Sequence, residues 1–171
     1  MRERELRRRC RRLLNELDVR PPLDVAELCR RVGEQRGRTI RLLAHPIPVP
    51  GPFGVWIATE SADYICYQRE TTRAHQAHII LHELGHIIAG HGGEEQDDPL
   101  LAELYPDLDP DAVRRALRRT AYDTAQEREA EAVATIILEW ASVLDRVAVR
   151  PASDAATART EAALGDRLGW L

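Results

Sequence analysis

The stretch that decides the fold is AHIILHELGHIIAGHGG, residues 77–93, which places four of the chain's six histidines in an almost wholly apolar run. Its apolar residues would surround a helix on nearly every side, so the pattern predicts a buried helix. Ionisable groups inside such a helix need a strong partner, because burying an uncompensated charge is costly. A metal ion supplies that partner, and we therefore interpret these histidines as candidate ligands rather than as ordinary core residues.

Two of the histidines have the spacing of metal ligands. His82, Glu83 and His86 spell the motif HExxH. Residues four apart lie on one face of a helix, so His82 and His86 can direct both imidazoles at one zinc ion, Zn²⁺. Glu83 can reach a water molecule beside the metal, take its proton and pass it to a leaving amine. Gly85 keeps the helix slim, so that a substrate or a neighbouring helix can approach.

Zinc needs a third protein ligand, and three glutamates of the later segment 125–141, AQEREAEAVATIILEWA, compete for that role. Glu129 begins the apolar stripe of that segment, which predicts that it points into the interior. Glu131 shares a more polar face with Glu127. We therefore predict Glu129 as the ligand, with Glu131 as the second candidate, in a His₂Glu site that keeps an open fourth position.

The remaining histidines of the opening stretch are weaker candidates for ligands. His91 comes five residues after His86 and would point away from the ligand face on a continued helix. The longer motif HExxHxxGxxH also fails, because Ala89 and Gly92 occupy the positions of its glycine and third histidine. We interpret His91 as a helix-end residue and expect His78, one turn earlier in the helix, to line the cleft.

The segment before the HExxH helix predicts two helices and a small sheet. Residues 1–20 place leucines at helical spacing, with arginines on the other faces. Asp24 can cap a second helix, with Glu27 completing a capping box and with Gly33 and Gly37 ending the helix. Three strand candidates follow, and the last two are expected to be antiparallel neighbours because a hairpin-length loop joins them. They are residues 39–44, 53–58 and 63–68.

The second half of the chain predicts helices. They cover residues 72–89, about 110–120 after Asp109-Pro110, 124–146 with Asp123 as the cap, and a last segment from Pro151 toward Gly165. The fold class is therefore α+β, with a small, mainly antiparallel three-stranded sheet (39–68) packed with five or six helices and a zincin-like HExxH helix. We expect one domain over residues 1–145 and a helical extension over 146–171.

The net charge, the cysteine spacing and the length of the apolar runs argue against several classes of protein. The net charge of −4 argues against a generic polyanion binder, and interleaved glutamates favour a solvated face for the arginine-rich first helix. Cys10, Cys29 and Cys66 form no CxxC pair, and there is no hydrophobic signal peptide, so we expect a reducing cytoplasm. The longest apolar run is too short for a membrane span, which predicts that the protein is not integral to a membrane.

The motifs together resemble those of the ImmA/IrrE-type metallopeptidases. In that family a HELGH helix follows a short three-stranded sheet, and a later helix carries E-A-x-x-F-A, whose glutamate is the third zinc ligand. HELGH at 82–86 matches in full. EAEAVA at 129–134 matches with Val133 in place of phenylalanine, which puts the family's ligand on Glu129. The resemblance covers roughly residues 25–140, and ILEW at 137–140 stands where the family often has LLMP.

The resemblance implies a zinc-dependent endopeptidase that cleaves a protein substrate. Family members are often encoded beside, or fused to, helix-turn-helix regulators, so a transcriptional regulator is the expected substrate. The alternative is a zinc-bearing, non-catalytic regulatory or toxin–antitoxin component that binds a helix-turn-helix partner. Direct nucleic-acid binding is disfavoured, because the chain carries no recognisable DNA-binding motif.

Overall fold

The computed structural model describes residues 3–47, 52–58, 62–91 and 122–165, with side chains described as far as residue 144. Within these ranges the protein is α+β, as predicted, with four helices and one three-stranded sheet. The elements are α1 (Glu3–Glu16), α2 (Val25–Arg36), β1 (Thr39–His45), β2 (Gly54–Ala58), β3 (Ala62–Gln68), α3 (Arg73–Ala89) and α4 (Thr124–Gly165). The helix predicted over residues 110–120 lies outside the described residues.

The sheet is mixed, which corrects the prediction of a mainly antiparallel one. Its order is β1-β3-β2, with β3 in the centre. The hairpin prediction is confirmed, since β2 and β3 are antiparallel, with Trp56 opposite Ile65. β1 and β3 are parallel, with Leu42 opposite Ile65. The reason is topological. The chain leaves β1 and enters β2 at the same end of the sheet but on opposite sides of β3, so β3 must run in the direction of β1.

The first two helices form as their local patterns predict. The stripe of α1 is buried and faces the core, with Leu6, Cys10 and Leu14 at its centre. Asp24 caps α2, because its carboxylate accepts a hydrogen bond of 3.0 Å from the backbone N–H of Glu27. The reciprocal half of the capping box does not form, since the Glu27 carboxylate accepts hydrogen bonds from Arg30 and Arg31 instead. Gly37 ends α2 in the left-handed conformation, whereas Gly33, also predicted at the end, lies inside the helix.

A buried carboxylate ties the sheet to α2. Asp63, in the central strand, is only 1% exposed. It accepts hydrogen bonds from the guanidinium groups of Arg36 at 2.8 Å and Arg38 at 3.0 Å. The indole N–H of Trp56 donates a third, at 3.1 Å. Trp56 is therefore a core anchor, and the charge of Asp63 is compensated at the edge of the core.

α4 is one helix where the sequence predicts two. Its N-terminus is confirmed: the Asp123 carboxylate accepts from the backbone N–H groups of residues 125 and 126, and the Gln126 side chain accepts from the backbone of Asp123. The helix then runs through Pro151 without the predicted break. A proline inside a helix removes one backbone hydrogen bond, and its ring crowds the carbonyl group of the preceding turn, so α4 is destabilised at this point. None of the four helices in the described ranges has the length and hydrophobicity that a bilayer span requires.

Candidate metal centre

The HELGH segment lies in α3. Thr72 caps this helix by accepting a hydrogen bond from the backbone N–H of His75, and Gly90 ends it in the left-handed conformation, at φ 75°. The helix contacts β2, β3, α2 and α4. A Cβ atom at Gly85 would lie 2.7 Å from the carbonyl oxygen of Ala130. The glycine therefore permits the close approach of α4, which brings its glutamates to the histidines of α3.

Three side chains of α3 and α4 converge on one point. The Nε2 atoms of His82 and His86 are 3.3 Å apart. The carboxylate of Glu127 lies 3.2 Å from Nε2 of His82 and 3.7 Å from Nε2 of His86. One donor atom from each of the three residues therefore lies within 4.8 Å of the others, and the group could hold a metal ion. The predicted convergence of His82 and His86 is thus present in the structure.

Glu129, the glutamate predicted as third ligand, has a different partner. Its Oε2 atom lies 3.1 Å from Nε2 of His91. The Nδ1 atom of His91 in turn lies 2.9 Å from Nδ1 of His86, on the opposite side of that ring from Nε2. Ligation by Glu129 stays a prediction, and in this structure Glu127 occupies the position beside the two Nε2 atoms.

The exposure of the two glutamates explains why sequence reasoning favoured Glu129. Its side chain is 18% exposed and that of Glu127 is 45% exposed, so the apolar stripe ranked their burial correctly. The converging donors, however, border a cleft at the surface rather than the interior. A ligand on the polar face of α4 can therefore reach them. The sequence holds one signal for Glu127: it lies one turn before Glu131, the second candidate, on the same polar face of the helix.

Glu131, the second candidate for the third ligand, lies on the outer side of His82. Its Oε2 atom is 3.2 Å from Nδ1 of His82 and 3.2 Å from Nε2 of His78. This is the side of the His82 ring away from His86 and Glu127. Glu131 therefore contacts His82 on the side of its ring that faces away from the three converging donor atoms. His78 lines the cleft, as predicted.

The proposed proton acceptor, Glu83, borders the same cleft. A cavity of about 340 Å³ is lined by Glu83, the three converging residues, Phe53 and Tyr122, among others. Glu83 is buried, and its Oε2 atom has no hydrogen-bond partner among the described residues. Burial, followed by the charge of Glu127, raises the pKa of Glu83 to about 8. A carboxyl group with such a pKa exchanges a proton near neutral pH, and a cation held beside it would favour the ionised form that a general base needs.

The His86 ring is prepared for ligation by its surroundings. Burial, followed by the nearby His82 and His91, lowers the pKa of His86 to about 3. The imidazole is therefore neutral at pH 7 and keeps a lone pair, which metal binding requires. Tyr122 stacks on this ring, with centroids 3.7 Å apart and planes inclined by 17°. No spacing in the sequence singles out Tyr122 as a residue of the site.

Comparisons with known proteins give no relative that would assign this site. No protein-family model matches the chain, and neither a curated protein nor a solved structure is significantly similar to it. The function is therefore argued from the geometry and chemistry of the cleft.

Proposed function

We propose that this chain is a zinc-dependent metallopeptidase that hydrolyses a peptide bond in a protein substrate, and that a transcriptional regulator is the preferred substrate. The observation that carries the proposal is the convergence of His82, His86 and Glu127 beside the buried carboxyl of Glu83. The order of a three-stranded sheet, a HELGH helix and a later acidic helix supports assignment to the ImmA/IrrE type.

The donor set fits zinc. Two imidazole nitrogens and one carboxylate oxygen form a His₂Glu set, which catalytic zinc sites use with a fourth position left open. His86 is neutral at pH 7 because of its lowered pKa, and Glu127 supplies a negative charge. The Glu127 side chain is 45% exposed, so the cleft is open to solvent at this point. Water and an extended substrate can therefore reach the donors.

Zinc held by these three residues would make a water molecule more acidic and polarise the scissile carbonyl group. The Glu83 carboxylate would accept a proton from that water as the water oxygen forms a bond to the carbonyl carbon. The carbon–nitrogen bond then breaks, and Glu83 returns the proton to the departing amine. The products are a carboxylic acid and an amine. Transfer of the second water proton from the acid to the amine gives a carboxylate and an ammonium group, and Glu83 ends in its starting state.

The metal is tested by measuring the zinc content of the purified protein by mass spectrometry, together with His82→Ala, Glu127→Ala and Glu129→Ala. About one zinc per chain in the parent protein, lost in His82→Ala, is the expected result for a single site. Complete loss in Glu127→Ala, with zinc retained in Glu129→Ala, would identify Glu127 as the third ligand, and the reverse pattern would identify Glu129. A parent protein that binds no zinc contradicts the proposal.

The chemistry is tested with Glu83→Gln, which keeps the shape of the side chain but cannot accept the proton. The zinc-loaded parent and the variant are incubated with a peptide library prepared from a bacterial proteome, and new N-termini are identified by mass spectrometry. We expect cleavage by the parent and none by Glu83→Gln at equal zinc content. Equal cleavage by both proteins would exclude Glu83 as the base. A zinc-loaded parent that cleaves nothing would favour the non-catalytic regulatory component.

A further inference from the structure

Each histidine of the converging group has a second partner on the far side of its ring. Nε2 of His82 faces the common point, and its Nδ1 lies 3.2 Å from the carboxylate of Glu131. Nε2 of His86 also faces that point, and its Nδ1 lies 2.9 Å from Nδ1 of His91. The same arrangement therefore occurs on both rings, although the two outer partners come from different parts of the chain.

We propose that Glu131 and the His91–Glu129 pair are positioning residues, which fix the ring orientation and the tautomer of His82 and His86. This inference rests on the metal site proposed above. Histidine ligands in metal sites commonly donate their other ring N–H to a carboxylate or another acceptor, and such partners keep the ring oriented and the correct nitrogen free. Both glutamates that the sequence ranked as third ligands would then act through a histidine.

The proton positions around His82 agree with this role. An Nε2 atom that offers its lone pair carries no hydrogen, so the ring proton must be on Nδ1. That N–H points to Oε2 of Glu131, at 3.2 Å. The same oxygen also lies 3.2 Å from Nε2 of His78, which can donate a second hydrogen bond. Glu131 is thereby held from two sides, and its negative charge favours the Nδ1–H tautomer of His82.

A chain of two hydrogen bonds runs from His86 through His91 to Glu129. With its proton on Nδ1, His86 donates to Nδ1 of His91, which must then be the unprotonated nitrogen of that ring. The proton of a neutral His91 is consequently on Nε2, and it is donated to the Glu129 carboxylate at 3.1 Å. Each atom in this series has one consistent role, and the series ends on a negative charge.

The backbone explains how His91 reaches a residue that it would not face on a continued helix. α3 ends at Ala89, and Gly90 takes the left-handed conformation. The backbone N–H of His91 then donates to the carbonyl of His86 at 3.1 Å, which turns the chain back over the last turn. The His91 side chain is buried against His86 as a result, with 7% of its surface exposed.

The proposal is tested by measuring the zinc affinity of the full chain by competition with a chelator, and the visible absorption of the same proteins loaded with Co²⁺. Glu131→Ala and Glu129→Ala should each weaken zinc binding about 10- to 100-fold. Their Co²⁺ spectra should keep the parent pattern, because the ligands themselves are unchanged. Glu131→Gln and Glu129→Gln should recover most of the affinity, since the amide oxygen still accepts the hydrogen bond.

A third pair of variants examines the acceptor nitrogen of His91. Asparagine places an amide oxygen near the position of Nδ1, so His91→Asn should bind zinc more tightly than His91→Ala. Glu139→Ala, an exposed change on α4 outside the cleft, is the matched control and should leave the affinity unchanged. Circular dichroism of each variant separates loss of metal from loss of fold.

The failure of this inference and the failure of the metal site give different results. If the parent protein binds neither zinc nor Co²⁺, the proposed function itself fails. If the parent binds metal but Glu129→Gln loses it and changes the Co²⁺ spectrum, Glu129 is a ligand and the positioning role is overturned. Parent-like affinity in Glu131→Ala, Glu129→Ala and His91→Ala would also overturn it, while leaving the metal site intact.

Discussion

Replacing Gly85 by alanine should force α3 and α4 apart. The new Cβ atom would lie 2.7 Å from the carbonyl oxygen and 2.9 Å from the Cα atom of Ala130, whereas ordinary contact begins near 3.4 Å. α4 would therefore have to withdraw by about 0.7 Å, because both contacts are with backbone that cannot rotate away. Overpacking of this kind lowers the free energy of unfolding by about 1–3 kcal/mol. The higher helix propensity of alanine offsets about 1 kcal/mol of that loss. We expect a net loss of up to about 2 kcal/mol.

The same displacement should weaken the proposed metal site. Glu127 precedes Ala130 by less than one turn of α4, so a withdrawal of the helix at Ala130 carries the Glu127 carboxylate away from His82 and His86. Zinc affinity in Gly85→Ala should therefore fall, by about 10-fold if roughly 1.4 kcal/mol of ligand binding is lost. Urea denaturation of the metal-free protein measures the stability, and competition with a chelator measures the affinity.

A control separates packing from helix propensity. Ala74→Gly changes an exposed residue of the same helix and should cost no more than about 1 kcal/mol, with no effect on zinc affinity. The reasoning would be refuted by a Gly85→Ala protein that is as stable as the parent and binds zinc equally well. That result would mean that α3 and α4 do not approach each other at Gly85.

Three other predictions follow from buried groups. Between pH 6.5 and pH 8 the metal-free protein should lose about 1 kcal/mol of stability per pH unit. Burial, and then the charge of Glu127, raises the pKa of Glu83 from 4.5 to about 8, so the folded protein keeps a proton that the unfolded chain has released. The pKa of His86 is lowered from 6.5 to about 3, so its contribution to the stability of the protein rises with pH only below this window. Urea denaturation of Glu83→Gln should therefore show no such slope. Asp63→Ala should lower the free energy of unfolding by about 3 kcal/mol in the same assay, since it leaves two guanidinium groups and an indole N–H without their acceptor. A loss below about 1 kcal/mol would show that water replaces the carboxylate. Burial, and then the charge of Glu83, raises the pKa of the Cys66 thiol to about 12. The thiol should therefore resist a disulfide reagent at pH 8 until urea unfolds the chain. Prompt labelling of the native protein would contradict the packing of β3.

Local patterns predicted the elements well, because the forces that define them act over a few residues. α3 covers Arg73–Ala89 where residues 72–89 were predicted, and the caps at Asp24 and Asp123 are those that the sequence indicates. The direction of β1 relative to β3 was not predictable in this way. It depends on the end of the sheet at which the chain enters β2, and no residue within the strands encodes that choice.

The site was predicted in part, for a similar reason. The HExxH spacing is a local rule, and it correctly places His82 and His86 side by side. Selection of the third ligand from the apolar stripe assumed that the donors face the interior. In the structure they border an open cleft, so the more exposed Glu127 lies beside them. The contact of His91 with His86 was missed because it depends on the left-handed turn at Gly90, whereas the sequence argument placed His91 on a continued helix.

The buried Asp63 also has a consequence for how the molecule opens. Its three hydrogen-bond donors come from the end of α2, the turn before β1 and the middle of β2, while the carboxylate itself belongs to β3. A partly unfolded state that released any one of these segments would leave a charge or a polar group unpaired in a desolvated place. The sheet and α2 should therefore behave as one cooperative unit, and the amide protons of β3 should exchange with solvent only through global unfolding.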